Sequence, residues 1–302
     1  MSKFLAILSA TRPKTLAATI VPVWAGVLIV WKFQHNLPAL GISVDWFLAA
    51  CTLMSAVCLQ IASNVFNDAI DGLRHADTEN RQGPKRLAGS GTLSPKAVLL
   101  LGVLFLGAAA SAALPLLWFR GWPVIAIGLP CMAIAYCYTG GPYPLSYHGF
   151  GELFVLLFFG LVAVMGTVFM QIGYAPAFIE VYAAAVILGV QCGLLFCVLL
   201  EINNIRDRKE DASTGKKTLA VRLGESRARG LAMAFLVAPY ATLKQTAFFL
   251  PGFEWNALWM LTLAVGGCLL LAISRTPADK RMNKLLGLTS LHALLFVLAL
   301  SL

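Results

Sequence analysis

Long apolar runs separated by short polar segments repeat along the whole chain. A helix needs about 20 mostly apolar residues to cross a bilayer, and such windows occur at 15–32, 46–66, 97–117, 122–138, 152–171, 179–202, 230–250, 256–274 and 285–301. Helix is expected because lipid offers backbone N–H and C=O groups no hydrogen-bond partner. The pattern therefore predicts an all-α, polytopic membrane protein with nine transmembrane helices, folded as one domain over 1–302.

Composition supports the same class of protein. Hydrophobic residues make up 59% of the chain and charged residues only 12%, whereas a soluble domain carries about 25% charged residues. So little charge cannot cover a surface that faces water, so we expect most of the surface to contact the lipid bilayer. The seven cysteines and four histidines show no spacing typical of metal ligands.

Basic residues cluster on one side of the predicted membrane. All but three of the 23 Lys and Arg fall on the side that holds the N-terminus, the exceptions being Lys32, Arg120 and Lys244. Because Lys and Arg concentrate in cytoplasmic loops, we expect the N-terminus and the polar loops on that side to be cytoplasmic, as in a bacterial inner membrane. This bias explains the net charge of +9 without a nucleic-acid partner.

A weak internal repeat relates the ends of the second and sixth predicted helices. Both ends carry an Asn followed by two Asp, and 83–88 resembles 215–220 downstream. Because the copies are four helices apart, we predict two parallel four-helix halves at about 10–140 and 150–275, and a final helix at 285–301. Parallel repeats place a site at their interface, where the two acidic clusters would share one cavity.

Oxygen ligands line one face of each of these two helices. The spacing of i, i+3, i+4 and i+7 stacks Asn64, Asn67, Asp68 and Asp71, and Asn203, Asp207 and Asp211 follow at i, i+4 and i+8. Carboxylate and amide oxygens suit Mg²⁺, which binds one or two carboxylates together with substrate phosphates. Nearby cations are expected to contact the remaining phosphate oxygens of a diphosphate: Arg81, Lys85, Arg86, Arg206, Lys216 and Lys217. The alternative is that each charged run is an ordinary solvated helix end.

Aromatic side chains follow the predicted acidic clusters into the apolar part of the cavity. A π face favours a nearby cation, so these rings would flank a developing allylic cation. The alternative, which is the more common role of any single aromatic residue, is a lipid or packing contact. The aromatic residues are Tyr136, Tyr138, Phe154, Phe158 and Phe159.

These motifs resemble those of the UbiA superfamily of intramembrane prenyltransferases. The stretch 64–71, Asn-Val-Phe-Asn-Asp-Ala-Ile-Asp, is similar to the family's first aspartate-rich motif, and 207–211, Asp-Arg-Lys-Glu-Asp, to its second. The stretches 12–16, 138–145 with 149–152, and 203–207 with 215–224 most resemble the branch that prenylates 1,4-dihydroxy-2-naphthoate. The resemblance covers nearly the whole chain.

The resemblance implies a specific reaction. An Mg²⁺-dependent enzyme would transfer the chain of a polyprenyl diphosphate to 1,4-dihydroxy-2-naphthoate, releasing diphosphate and CO₂ and giving demethylmenaquinone. It implies that Asp68, Asp71, Asp207 and Asp211 bind Mg²⁺-diphosphate with Asn64, Asn67 and Asn203. Arg12 would hold the acceptor carboxylate, and Tyr138 would contact substrate. His75 and Asp77 depart from the hydroxybenzoate branch, where another Asp is expected four residues after Asp71.

Three alternatives stay open at the level of the sequence. The acceptor would instead be 4-hydroxybenzoate, homogentisate, haem or a glycerol phosphate, the last of which needs more than one cation in its pocket. A secondary transporter also has paired repeats and intramembrane acids, but it would place them at mid-span, where the predicted helices have none. The third alternative is a scaffold protein, but a scaffold would not need two helix faces lined with Asn and Asp.

Overall fold

The computed structural model describes residues 11–73, 87–88 and 91–302, and in these residues it is helical without a strand. The helices in chain order are α1 Ala17–Asn36, α2 Trp46–Leu73, α3 Pro95–Arg120, α4 Pro123–Cys137, α5 Gly151–Ile172, α6 Ile179–Ser213, α7 Leu219–Leu223, α8 Glu225–Ala241, α9 Leu243–Phe249, α10 Ala257–Arg275 and α11 Asn283–Ser301. Single turns of 3₁₀ helix occupy several connections. The predicted all-α class is confirmed.

Seven helices of the described residues are long and apolar enough to cross a membrane. They are α1, α2, α3, α5, α6, α10 and α11, and a 3₁₀ turn directly precedes α6 and α11. Helix α4 is shorter, and the predicted helix at 230–250 is divided into α8 and α9, with the break at Thr242 after Pro239. The protein is therefore a multi-pass membrane protein, while the count of nine crossings and the two parallel halves stay predictions.

Short polar signals begin and end several of these helices. The side chains of Asp45, Ser94 and Asn256 accept hydrogen bonds from backbone N–H groups in the first turns of α2, α3 and α10. Helices α3 and α5 are each followed directly by a glycine, Gly121 and Gly173. The φ angles of these glycines, 70° and 65°, are strained for any other residue. These signals fix where each apolar run starts and stops.

Helix α6 lies at the centre of the molecule. Of its most apolar stretch, 67% is buried, against 17% for α3. Helices α1, α5, α8 and α11 pack around α6, and α2 and α3 form an antiparallel pair beside them. The apolar side chains of α3 therefore face outward, where lipid is expected, and α6 carries its C-terminal polar residues into the middle of the bundle.

Two helices run further than their apolar windows. Helix α2 was expected at 46–66 and continues to Leu73, while α6 was expected at 179–202 and continues to Ser213. The extensions carry the two Asn/Asp faces, so the helical spacing that predicted a shared face holds through both clusters. Hydropathy alone ends a helix where polar residues begin, although hydrogen bonding within the helix continues.

Candidate active site

A cavity of about 780 Å³ runs between α1, α2, α4, α5 and α6. Its polar end lies at the C-terminal ends of α2 and α6 and is lined by Arg12, Asn64, Asn67, Asn203, Arg206, Asp207, Asp211 and Lys216. Its apolar part is lined by residues such as Val23, Leu116, Val124, Ile127, Phe154, Phe158, Phe159 and Met170. One cavity therefore joins a charged end to a hydrocarbon-like tunnel.

The carboxylate of Asp68 supports the polar end from behind. Asp68 is 2% exposed, and its two oxygens accept hydrogen bonds from the backbone N–H groups of Leu87 at 2.7 Å and Ala88 at 3.1 Å. Asn64, one turn earlier, lines the cavity and donates to the Thr11 carbonyl at 3.2 Å. Asp68 therefore binds the backbone of Leu87 and Ala88, and the side-chain amides of Asn64 and Asn67 on the same helix line the cavity.

Lys216 connects the two acidic clusters. Its Nζ lies 3.3 Å from Oδ2 of Asp71 and 3.8 Å from Oδ1 of Asp211, and 5.0 Å from the centre of the Tyr147 ring. The Tyr147 hydroxyl donates to the other oxygen of Asp71 at 3.2 Å. The structure thus brings together acids that are 140 positions apart in the sequence, with a cation between them.

Arg206 is held by its neighbours on the protein. Its guanidinium contacts both oxygens of Asp207, at 2.7 and 2.5 Å, and also donates to Oδ1 of Asn283. A bidentate ion pair of this kind fixes both side chains. Arg206 lines the cavity but is only 6% exposed, so the expected contact with phosphate requires at least one of these donors to turn toward the ligand.

Arg12 and Tyr138 both belong to the cavity lining. Arg12 has a φ of 50°, the left-handed region that few non-glycine residues adopt, and its carbonyl accepts hydrogen bonds from the backbone N–H and the hydroxyl of Thr15. The Tyr138 hydroxyl packs against Gly151 at the start of α5, where an added Cβ would lie 3.2 Å away. Both side chains line the cavity, as predicted for substrate contacts.

Some predicted site residues lie elsewhere. Tyr136 is 41% exposed and packs edge-on against Phe66, so the expectation that it flanks the apolar part of the cavity is wrong. Lys217 is exposed, and only its backbone N–H reaches inward, to the Tyr147 carbonyl. Arg81, Lys85 and Arg86 lie outside the described residues, as do His75 and Asp77.

Helix α5 keeps a single face on the cavity along its whole length. The cavity is lined at every fourth position of this helix, by Gly151, Val155, Phe159, Ala163 and Thr167. In a regular α-helix four such steps would rotate the side chains by about 160° in total. The segment Leu156–Val162 is a π-helix, which has more residues per turn and so removes this drift.

Close backbone contact holds that π-helix against α6. A Cβ added to Gly160 would lie 2.5 Å from the Gly189 carbonyl oxygen and 2.9 Å from the Cα of Gly193. A Cβ added to Gly193 would lie 2.9 Å from the Cα of Leu156. Three glycines therefore set the distance between α5 and α6, which both line the cavity.

A polar group that the sequence analysis did not assign to the site lies between the two ends of the cavity. Glu152 lines the cavity and accepts a hydrogen bond from Asn204 at 2.9 Å, and Glu201, one turn before Asn204 on α6, is fully buried. The available signal was the placement of single acidic residues beside apolar runs, which is costly in a membrane.

A family model of UbiA prenyltransferases matches residues 19–297 of this chain. The chain belongs to the UbiA prenyltransferase family. Two curated family members are 1,4-dihydroxy-2-naphthoate octaprenyltransferases. The Mycobacterium tuberculosis protein is 40% identical over 78% of this chain and 76% of its own length, and the Mycobacterium leprae protein 38% over 79% and 76%.

A solved structure supports the UbiA fold. The structure of a UbiA homologue from Archaeoglobus fulgidus bound to geranyl diphosphate (GPP) and Mg²⁺ aligns with a TM-score of 0.66. The alignment covers 100% of both chains at 17% sequence identity. At that identity the likeness concerns the fold, and it agrees with the helical bundle described above.

The donor set of this UbiA-family cavity fits Mg²⁺ in type. The polar end offers carboxylate and amide oxygens, with no histidine or cysteine among its described residues, and hard cations such as Mg²⁺ prefer oxygen ligands. Among the described residues, no three Asp, Glu, His or Cys side chains converge on one point. A magnesium ion would therefore depend on the oxygens of a phosphate and on water to complete its octahedral ligand shell.

Proposed function

We propose that this protein transfers a polyprenyl chain from polyprenyl diphosphate to 1,4-dihydroxy-2-naphthoate. The reaction depends on Mg²⁺, releases diphosphate and CO₂, and gives the quinol form of demethylmenaquinone. The observation that carries the proposal is a single cavity with a charged end at Lys216 and Asp211, where buried Asp71 contacts Lys216, and an apolar tunnel beyond it. The names of the mycobacterial relatives support the naphthoate acceptor over the other acceptors, and family membership replaces the transporter alternative.

The charged end is suited to a departing diphosphate. The ammonium of Lys216 and the guanidinium of Arg206 line the cavity together with the amides of Asn67 and Asn203, and all of these groups can donate hydrogen bonds to phosphate oxygens. Mg²⁺ would be held by Asp207, Asp211, Asp68, Asp71 and Asn64, and it would supply positive charge opposite the negative charge that grows on the leaving group. The site therefore stabilises the products of C–O cleavage more than the intact substrate.

The apolar tunnel protects and steers the prenyl chain. Phe154 and Phe158 stack with their ring centres 5.9 Å apart, and Phe159 lines the same wall. Their π faces favour the allylic cation left by the departing diphosphate, and the apolar wall excludes the water that would otherwise capture it. The ring of the acceptor then reaches the cation first.

The acceptor has a place beside Arg12 at the polar end of the cavity. Arg12 and Tyr138 both line the cavity, and a guanidinium binds a carboxylate through two parallel hydrogen bonds. Arg12 therefore holds the carboxylate of the naphthoate, and the electron-rich ring faces the allylic carbon. The bias of Lys and Arg toward this side supports a cytoplasmic entrance for both polar substrates.

A product assay tests this function directly. Detergent-purified protein is incubated with farnesyl or a longer prenyl diphosphate, Mg²⁺, and either 1,4-dihydroxy-2-naphthoate or 4-hydroxybenzoate, and the products are identified by mass. We expect a prenylated naphthoquinol that has lost CO₂, and no product when excess chelator removes Mg²⁺. Product from hydroxybenzoate alone would overturn the acceptor, and full turnover in chelator would overturn the metal dependence.

Lys216 gives a prediction about substrate binding. In the K216Q variant the cation between Asp71 and Asp211 is lost, so the two carboxylates repel the diphosphate. We expect KM for prenyl diphosphate to rise at least about 10-fold, the loss of a charge-assisted hydrogen bond worth about 1.5–3 kcal/mol. The K209Q variant removes an exposed lysine from the same end of α6 and is the matched control. Equal KM values in the two variants would exclude a role for Lys216 in binding.

A further inference from the structure

Arg222 on α7 joins two segments that are far apart in the sequence. Its Nε donates to the carbonyl of Lys217 at 3.0 Å, and its Nη2 donates to the carbonyl of His148 at 2.8 Å. The first carbonyl belongs to the turn after α6, residues 214–218, and the second to the α4–α5 connection, residues 138–150. One guanidinium therefore fastens these two segments to each other, although its side chain is exposed.

Two further features hold the same segments in close contact. The backbone N–H of Lys217 donates to the Tyr147 carbonyl at 2.8 Å. Gly149 has a φ of 75°, and a Cβ added there would lie 2.8 Å from the Lys217 carbonyl oxygen and 3.3 Å from Nε of Arg222. Glycine is required for this approach, so the contacts of Arg222 belong to a tightly packed junction.

The residues next to these contacts carry side chains that meet at the charged end of the cavity. Tyr147, next to His148, donates its hydroxyl hydrogen to Oδ1 of Asp71 at 3.2 Å. Lys216, next to Lys217, places its Nζ 3.3 Å from Oδ2 of Asp71, and this Nζ lies 5.0 Å from the centre of the Tyr147 ring. A shift of either segment would therefore move Lys216 away from Asp71.

A simpler role for a basic residue on this side of the protein is to fix the topology, and that role needs only the charge. The contacts of Arg222 depend on more than charge. Among the described residues no Asp or Glu forms an ion pair with it, and both of its printed side-chain hydrogen bonds go to backbone carbonyls. A planar guanidinium donates in fixed directions, whereas the ammonium of a lysine is a point charge on a flexible stem.

We propose that Arg222 is a positioning residue that holds Lys216 in place for the diphosphate. This inference rests on the proposed function, in which Lys216 binds prenyl diphosphate. Arg222 lies outside the cavity lining and acts by fixing the turn after α6 against the α4–α5 connection. The binding of diphosphate is then spared the entropy cost of ordering that turn.

Hydrogen–deuterium exchange of the detergent-purified protein tests the junction without any substrate. In R222Q we expect faster exchange in peptides that contain the Lys217 amide, whose hydrogen bond to the Tyr147 carbonyl lies beside the two lost contacts. R227Q removes an exposed arginine from the first turn of α8 and is the matched control. Equal exchange of these peptides in R222Q and R227Q would overturn the proposal.

The affinity for farnesyl thiodiphosphate, an analogue that resists cleavage, is measured in the presence of Mg²⁺. We expect Kd to rise about 5-fold in R222Q, close to the net contribution of one hydrogen bond. R222K should show a similar rise, because it keeps the charge and loses the two fixed donors. A merely structural role would lower the fraction of protein that binds and leave Kd unchanged. A wild-type Kd in either variant would therefore overturn the proposal.

The K216Q background distinguishes action through Lys216 from an independent effect. If Arg222 acts by placing Lys216, then the K216Q/R222Q double variant should bind the analogue no more than about twofold more weakly than K216Q alone. Independent sites would instead give factors that multiply in full. That result would show that Arg222 does not act through Lys216.

The outcomes also separate this inference from the function it rests on. Wild-type protein that makes no prenylated naphthoquinol in the product assay refutes the proposed function itself. Product from the wild type, together with the same Kd in R222Q and R227Q, overturns the role of Arg222 alone. If R222Q does not fold, as judged by its melting temperature, then R222K and K216Q/R222K decide the question.

Discussion

The D211N variant is expected to lose at least about 1,000-fold in kcat, at the upper end of what one preorganised electrostatic contact contributes. Asp211 lines the cavity and is 8% exposed. Asn has nearly the same shape but lacks the charge that binds Mg²⁺-diphosphate, so ionisation of the substrate loses its support. The protein should still insert and melt like the wild type, since Lys216 keeps Asp71 as its partner.

Substitution of Asp211 tests the chemistry more cleanly than substitution of Asp68 or Asp207. Asn in place of Asp68 would set an amide against the N–H groups of Leu87 and Ala88, and Asn in place of Asp207 would weaken the ion pair of buried Arg206. Both changes mix stability with chemistry.

A matched control for D211N is D279N. Asp279 accepts a hydrogen bond from the backbone N–H of Arg281 at 2.8 Å and lies outside the cavity, and Asn caps a helix start as well as Asp does. Turnover is measured at saturating prenyl diphosphate, over a range of Mg²⁺ concentrations. D211N activity within about threefold of D279N, a difference of less than 1 kcal/mol in barrier, would remove Asp211 from the metal site.

The G160A variant is expected to lose thermal stability more than any other alanine substitution of a glycine on α5. Its new Cβ would meet the carbonyl oxygen of Gly189 at 2.5 Å, and this backbone atom of α6 cannot turn aside as a side chain would. Overpacking of this kind costs about 1–3 kcal/mol or more. We expect the melting temperature in detergent to fall by at least about 5 °C.

Gly287 on α11 offers the matched substitution. A Cβ added there meets no atom within 4 Å, and alanine is favoured over glycine inside a helix by about 0.5–1 kcal/mol. G287A should therefore melt at or above the wild-type temperature. If G160A and G287A have the same melting temperature, then α5 and α6 are not in backbone contact at Gly160, and the width of the cavity is set by other residues.

The helices and the paired acidic faces follow from the sequence because they rest on local spacing. An apolar run of about 20 residues has few alternatives to a helix in lipid, and the i, i+4 spacing of Asp207 and Asp211 places them on one face wherever the helix ends. The spacing of these residues therefore indicated that α2 and α6 continue beyond their apolar windows, although hydropathy ended both helices early.

The details that decide chemistry depend on contacts between distant segments. Nothing local to Lys216 predicts that it, rather than Lys217, reaches Asp71, because the choice depends on how the turn after α6 meets Tyr147. The hydrogen bond from Asn204 to Glu152 likewise requires α5 and α6 to meet at one height. Such contacts are set by tertiary packing and have no periodic signal in the chain.

Because of the π-helix at Leu156–Val162, the number of residues in α5 determines which of its side chains face the cavity. Loss of one residue there would allow a continuous α-helix, still apolar and still able to cross the bilayer, but its first turn would be rotated by about 100°. Glu152 and Phe154 would then turn away from the cavity, while the bundle around them kept its shape. The absence of one residue in this stretch would therefore distinguish proteins that share only the architecture from proteins that also share the reaction.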